Sequence, residues 1–287
     1  GIDSIIVDID NQMSTYKINS EISLFNNLPK NGAINISHGF SEVIKRSIYW
    51  SEVTLGSFDI TIFPAVINWR QGKKDREYND IWEPPTDLDI IMEMEKIGYD
   101  KIKLSDNTLK KSITGQMIDV NAIAKGWGVD QIFDYLKFNG YSRFMVEVGG
   151  EANVLGVNQD GNPWRLGVDK PIFNKERELQ AVVNLAEGAL ATSGNYRKFF
   201  TDEKGMKYVH TINPKSGYPV KSNLLSATII SDNCMDADAY ATTCMVDGVR
   251  KAQQLIEGQE SLEGYLIYSD SKGELKEWFS SNFDQFK

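Results

Sequence analysis

Up to about residue 98 the apolar positions recur at the three-to-four-residue spacing of helices; beyond it they fall into short runs broken by turn formers. Residues 1–27 read as an amphipathic helix, a polar loop at MSTYKINS, and a second short helix that Ser20 caps with Glu21 and Ser23 following. Phe40, Val43, Ile44, Ile48 and Val53 mark one face of a helix over 39–54, which GSFD ends. In ITIFPAVINW, Pro64 sits where another helix begins. The charged stretch 71–95 holds Pro84 and Pro85 and reads as a surface excursion that leads into a helix near 87–96.

From Tyr99 onward KIKLS, TLKKS and MIDV read as strands closed by turns at SDN and TG. A helix over 122–138 stops at Asn139 and Gly140. Strands are then expected at RFMVEV, EANVLGV, WRLGVD, LQAVVNL and SATIIS, with a hairpin turn at NQDGN. Helices over 235–247 and 248–257 and a last strand pair, GYLIYS and ELKEWF, complete the chain. Neither an internal repeat nor a low-complexity tract interrupts this order. The fold class it predicts is α+β, a largely antiparallel sheet core with flanking helices, taken as a single domain over 1–287.

Composition removes several function classes. The net charge of −9 is spread without a long single-sign block, which argues against electrostatic binding of nucleic acid or anionic lipid. A polyanionic small ligand would therefore need a local device. No window approaches the ~20 consecutive apolar residues of a membrane span, and GIDSIIVDID lacks the regions of a signal peptide. Cys234 and Cys244 fit neither a disulfide scaffold nor a zinc pattern; ten residues of one helix would hold them ~15 Å apart.

Five segments could carry chemistry. In Ile118-Asp119-Val120-Asn121-Ala122-Ile123-Ala124-Lys125-Gly126 a strand runs into a helix start, where unpaired amides and a lysine favour phosphate; the ordinary alternative is that Asn121 caps the helix and Lys125 is solvated. Asp238 and Thr242 lie four apart in a helix expected to hold Asp232 and Asp236 as well, so two hard oxygen donors share one face and suit magnesium. Acidic residues that favour the helix dipole are the plainer account. His210, one of only two histidines with His38, opens the turn-rich stretch HTINPKSGYP and is a candidate base or phosphate partner, or simply a packed side chain. Ala191-Thr192-Ser193-Gly194-Asn195-Tyr196 reads as a glycine-bearing loop that could approach a ligand, and Val148-Gly149-Gly150-Glu151 as a bend between strands.

Together these segments resemble the ApbE family, the FAD:protein FMN transferases that attach flavin to other proteins. The resemblance runs from about Met13 to Gly248 through MSTYKINSEISLFN, GSFDITIFPAVINWR, IDVNAIAKGWGVD, VEVGGEANVLG, WRLGVDKP, ALATSGNYRKFF, HTINPKSGYP and DADAYATTCMVDG. It implies FAD contacts at Tyr16, Ser57, Phe58, Asp59, Asp119, Lys125 and Ile212, to which the residue reading adds Ser193, Gly194 and His210. It also implies a magnesium ion held by Asp238, Thr242 and the backbone carbonyl of Ala122. Asn213 and Glu151 stand where the family often has aspartate.

The activity so implied is magnesium-dependent transfer of the FMN half of FAD to a threonine or serine hydroxyl of an acceptor protein, releasing AMP, with His210 and Asp238 as the catalytic candidates. Two alternatives stand beside it: an FAD pyrophosphatase giving FMN and AMP, and a non-catalytic FAD-binding protein. The resemblance further implies action outside the cytoplasmic membrane, periplasmic or at the cell surface, with a leader, a possible lipid anchor and a first strand ahead of Gly1.

Overall fold

A computed structural model of the chain describes residues 1–72, 82–171, 178–195 and 199–287. In chain order the elements are α1 (Ile2–Met13), α2 (Glu21–Asn26), β1 (Ala33–Asn35), α3 (His38–Val53), α4 (Phe63–Gln71), α5 (Asp87–Met94), β2 (Ile102–Ser105), β3 (Thr108–Lys111) and α6 (Ala124–Phe138). There follow β4 (Phe144–Val148), β5 (Glu151–Leu155), β6 (Trp164–Asp169), β7 (Leu179–Leu185), β8 (Glu187–Gly194), β9 (Phe199–Thr201), β10 (Lys207–Val209) and β11 (Leu224–Ser231). The last are α7 (Cys234–Asp247), α8 (Val249–Glu257), β12 (Glu263–Ser269) and β13 (Leu275–Phe279). Helix starts follow their local chemistry. Ser20 accepts from the Ser23 amide, and Thr86 and Asp89 satisfy each other's backbone in a reciprocal cap. Pro64 sits in the first turn of α4, where its missing N–H costs nothing. No described helix is long and apolar enough to cross a membrane.

The chain divides into two compact units. The first comprises Gly1–Ile6, Ala122–Arg197 and Lys221–Lys287. Its frame is a six-stranded sheet of order β13-β12-β11-β8-β5-β4 in which every pairing is antiparallel. Strand alternation sends Leu190 into one apolar layer with Val154, Tyr265, Ile267 and the β6–β7 hairpin, and Ala189 into another with Val129, Ile132 and Cys234. Along β8 the alanines at 189 and 191 have no exposed surface, so small side chains leave room for helices against the sheet.

The second unit comprises Val7–Asn121 and Lys198–Val220. A three-stranded sheet of order β1-β3-β2 lies within it, and a core of Ala65, Trp69, Ile90, Ile97 and Ile212 joins α4 and α5 to the 211–219 turn. Lys111 is fully buried here. Its Nζ donates to the carbonyls of Asn26 at 3.0 Å and Gln116 at 2.8 Å and lies 4.9 Å from the centre of the Phe25 ring.

Three expectations are corrected. MIDV (117–120) is not a strand: Ile118 exchanges both backbone bonds with the Asn26 side-chain amide, and the Asp119 amide donates to Ile60 O at 2.9 Å, so its partners are a side chain and a turn rather than a ladder. The loop expected over 191–196 is, as far as Gly194, the end of β8, which pairs with β5 on one side and β11 on the other; residues 196–198 lie outside the described residues. Alanine and glycine have little strand preference, so this strand is set by its neighbours. The helix expected from residue 122 begins at Ala124, after a turn over 121–123. Of the charged stretch, residues 73–81 also lie outside the described residues.

Lys111 gives a pH test. Burial lowers its pKa from 10.5 to about 8, so between those values the unfolded chain binds the extra proton and stability rises with pH. The stability of a Lys111→Met variant relative to wild type should therefore fall from pH 8 to pH 10.5 in chemical denaturation. A difference that stays flat over that window would mean that the ammonium is solvated.

Candidate functional site

In the first unit the site is built on the start of α7. A helix start leaves its first amides without partners, and here side chains take three of them. Asp130, projecting from α6, accepts from the Cys234 and Met235 amides at 2.9 Å each, and Asn233 accepts from the Asp236 amide at 2.9 Å. Asn153 of β5 donates to the same Asp130 carboxylate at 2.8 Å. Burial pushes the Asp130 carboxyl up to about 6, still below neutrality, so its charge faces the positive end of α7.

The two helices meet backbone to backbone. A Cβ at Gly126 would lie 2.2 Å from the Cys234 carbonyl oxygen. The close approach lets the Gly126 amide donate to Asp238 Oδ2 at 3.2 Å. Asp238 is only 2% exposed, and Thr242 follows one turn on, its hydroxyl 3.3 Å from Ser193 Oγ on β8. Lys125 pairs with Glu151 Oε1 and stands 3.9 Å from Asp238 Oδ1. Burial raises the Asp238 carboxyl against the pull of Lys125 and the Gly126 amide. Burial and the Asp238 carboxylate likewise raise Glu151. For Lys125 burial acts downward, but the two carboxylates outweigh it and keep the ammonium charged.

The second unit holds the other predicted residues. Asp59 uses both oxygens on backbone and hydroxyl donors: Oδ1 accepts from the Thr61 amide and hydroxyl at 2.8 and 2.7 Å, Oδ2 from the Tyr99 amide at 3.1 Å. Phe58 is buried, its amide donating to Thr54 Oγ1 at 3.0 Å, and Ser57 Oγ accepts from Lys215 Nζ at 3.1 Å. Asp119 Oδ1 accepts from the Asn121 amide at 2.8 Å in the turn before α6, whose N-cap position, Ile123, makes no side-chain cap, so Asn121 does not cap the helix. Tyr16 is 82% exposed. His210 is exposed at the entry to the turn, while Ile212 is buried in the core and bridges to Pro219. Gly217 closes that turn at φ 74, and its carbonyl accepts from the Trp69 indole at 2.7 Å.

The residues predicted at Lys125, Ser193, Asp238 and Thr242 are thus brought together in one unit, with Gly194 ending the strand that carries Ser193 and Ala122 in the turn ahead of α6. Asp232 falls outside the helix: Asn233 caps it. Sequence reasoning missed Asp130 and gave Glu151 only a place in a bend. For Asp130 a signal existed, since it lies four residues from Gly126 on the same helix face.

The donors suit a hard cation. Asp238 offers a carboxylate oxygen, Thr242 a hydroxyl and Ala122 a carbonyl, whereas no described group of three His, Cys, Asp or Glu side chains could hold a metal alone. Such a set matches magnesium, which keeps several oxygen positions for water or phosphate.

The sequence model of the ApbE family matches residues 1–266. The chain belongs to the ApbE family. Among its relatives, the FAD:protein FMN transferase of Vibrio cholerae is 35% identical over 99% of this chain and 83% of its own length. That of Haemophilus influenzae is 37% identical over 95% of this chain and 78% of its own. Among solved structures, the flavin transferase ApbE of Vibrio cholerae superposes with a TM-score of 0.87 at 34% identity, covering 100% of this chain and 89% of that one. The apo flavinyl transferase ApbE of Pseudomonas stutzeri gives 0.85 at 28% identity, covering 99% and 86%. The α+β architecture of this ApbE-family chain is therefore that of the flavin transferases.

Gly126→Ala should force α6 and α7 apart and destabilise the protein by roughly 1–3 kcal/mol, the usual penalty for an overpacked contact. Asp130→Ala, which strands two helix-start amides, should cost about 1–3 kcal/mol. Urea-unfolding midpoints check both. An unchanged midpoint for Gly126→Ala would show that the helices are free to separate.

Proposed function

We propose that this ApbE-family chain is a magnesium-dependent FAD:protein FMN transferase. The observation that carries the reading is the buried Asp238, with Thr242 one turn away and the Lys125 ammonium 3.9 Å from its carboxylate. The names of its relatives support the flavin substrate and the protein acceptor.

Asp238, Thr242 and the Ala122 carbonyl would hold magnesium, which when bound neutralises pyrophosphate charge. Lys125, kept charged by its two carboxylate neighbours, can steady phosphate oxygens as a point charge. Tyr16, Ser57, Phe58, Asp59, Asp119 and Ile212 are the proposed FAD contacts, joined by Ser193 and Gly194. Among these, the carboxylate of Asp59 is spent on Thr61 and Tyr99, so it shapes the Ser57–Asp59 loop more than it meets ligand. In the reaction an acceptor threonine or serine oxygen forms a bond to the FMN phosphorus as the bond from that phosphorus to the bridging oxygen breaks. AMP leaves with the bridging oxygen, and the hydroxyl proton passes to a base, for which His210 is proposed. Action outside the cytoplasmic membrane is part of the same proposal and rests on the resemblance alone.

Mass spectrometry of a candidate acceptor incubated with the chain, FAD and magnesium should show the added FMN, with AMP released in equal amount. Asp238→Ala should abolish the adduct at moderate magnesium, and chelation should do the same to wild type. AMP release that proceeds equally well without acceptor would favour a pyrophosphatase; FAD bound intact with or without magnesium would favour a carrier. Wild-type transfer by His210→Ala across neutral pH would remove the histidine from the mechanism.

A further inference from the structure

We propose that Glu151 is a positioning residue for the transfer: it holds the Lys125 ammonium in place while Asp238 is engaged by the cation. This rests on the transferase reading and adds a residue to it.

The geometry is specific. Glu151 opens β5 directly after Gly149 and Gly150, whose positive φ values of 69 and 107 make the tight turn that returns the chain beside β4. It is 2% exposed, with Oε1 on Lys125 Nζ and Oε2 buried without a hydrogen-bond partner among the described residues. A buried carboxylate with one oxygen unpaired is costly unless its charge is matched nearby, and Lys125 is the cation that matches it.

Lys125 also faces Asp238, so one ammonium stands between two carboxylates. A divalent cation on Asp238 would repel that ammonium. With Asp238 as its sole anchor, Lys125 would swing away on a flexible four-carbon stem whose side chain is already 45% exposed. Glu151 supplies the second anchor. Its buried position fixes where Nζ sits, and the lysine remains aimed for a phosphate oxygen.

A double-mutant cycle tests this. Glu151→Gln, Lys125→Met and the double variant are compared for FAD affinity by flavin-fluorescence quenching with magnesium, and for transfer to an acceptor protein. Glu151→Gln is expected to weaken FAD binding and transfer roughly tenfold to a hundredfold, as loss of a supporting partner does. In the Lys125→Met background the same change should have almost no further effect, and Glu151→Asp should restore part of the loss. Equal losses in both backgrounds, or a loss that tracks a drop in thermal midpoint, would make Glu151 merely structural and overturn the proposal; so would a Glu151→Gln variant that binds and transfers like wild type. Coupling in FAD affinity without any acceptor modification would sink the transferase reading while sustaining the Glu151–Lys125 pairing.

Discussion

The contact on which the first unit's chemistry depends is the meeting of α6 and α7 at Gly126. No side chain separates the helices there, because even a methyl group would fall 2.2 Å from the Cys234 carbonyl oxygen. From this closeness the rest follows. The Gly126 amide reaches Asp238, the neighbouring Lys125 comes within 3.9 Å of the same carboxylate, and Asp130, one turn along α6, lies opposite the first amides of α7. Gly126 thus brings the lysine beside it to an aspartate 112 residues further along the chain than the glycine.

The arrangement is held from two further sides. Asn153 of β5 donates to Asp130, and Ser193 of β8 meets Thr242, so the sheet fixes both ends of the reactive face of α7. Residues on helices and strands hold geometry better than residues on loops, which suits the cation site proposed at Asp238. The capping also explains how Asp238 tolerates burial: the Gly126 amide and Lys125 offset part of the cost of removing its carboxylate from water.

Much of this was legible in the sequence, in a graded way. A helix with an apolar stripe, such as α3, declared itself through local signals. β8 did not, since Ala189, Ala191 and Gly194 become a strand only because β5 and β11 flank them. MIDV misled in the opposite sense: its apolar alternation is real, but a single asparagine side chain and a turn carbonyl use its backbone. The pairing of Asp238 with Thr242 could be read from spacing, because the two carry their geometry within one helix. Glu151 and Asp130 left only weak marks, a place after a glycine pair and a four-residue spacing from Gly126, for their partners lie 26 and 104 residues away.

Lys111 and Lys125 show how the same chain uses one residue type for opposite ends. Lys111 is closed in by carbonyls and an aromatic ring, groups that solvate an ammonium without compensating its charge, and burial drives its pKa down. It can serve as a clip between α2 and β3, but among the described residues it pairs with carbonyls and no carboxylate. Lys125 suffers burial too, yet Asp238 and Glu151 reverse the sign of the shift. Carboxylates that would by themselves repel a phosphate are thus the reason the lysine stays charged. The net charge of −9 is then no obstacle to the polyanion binding proposed above, because attraction would be set locally, by one ammonium and the cation that Asp238 would hold, rather than by the surface as a whole.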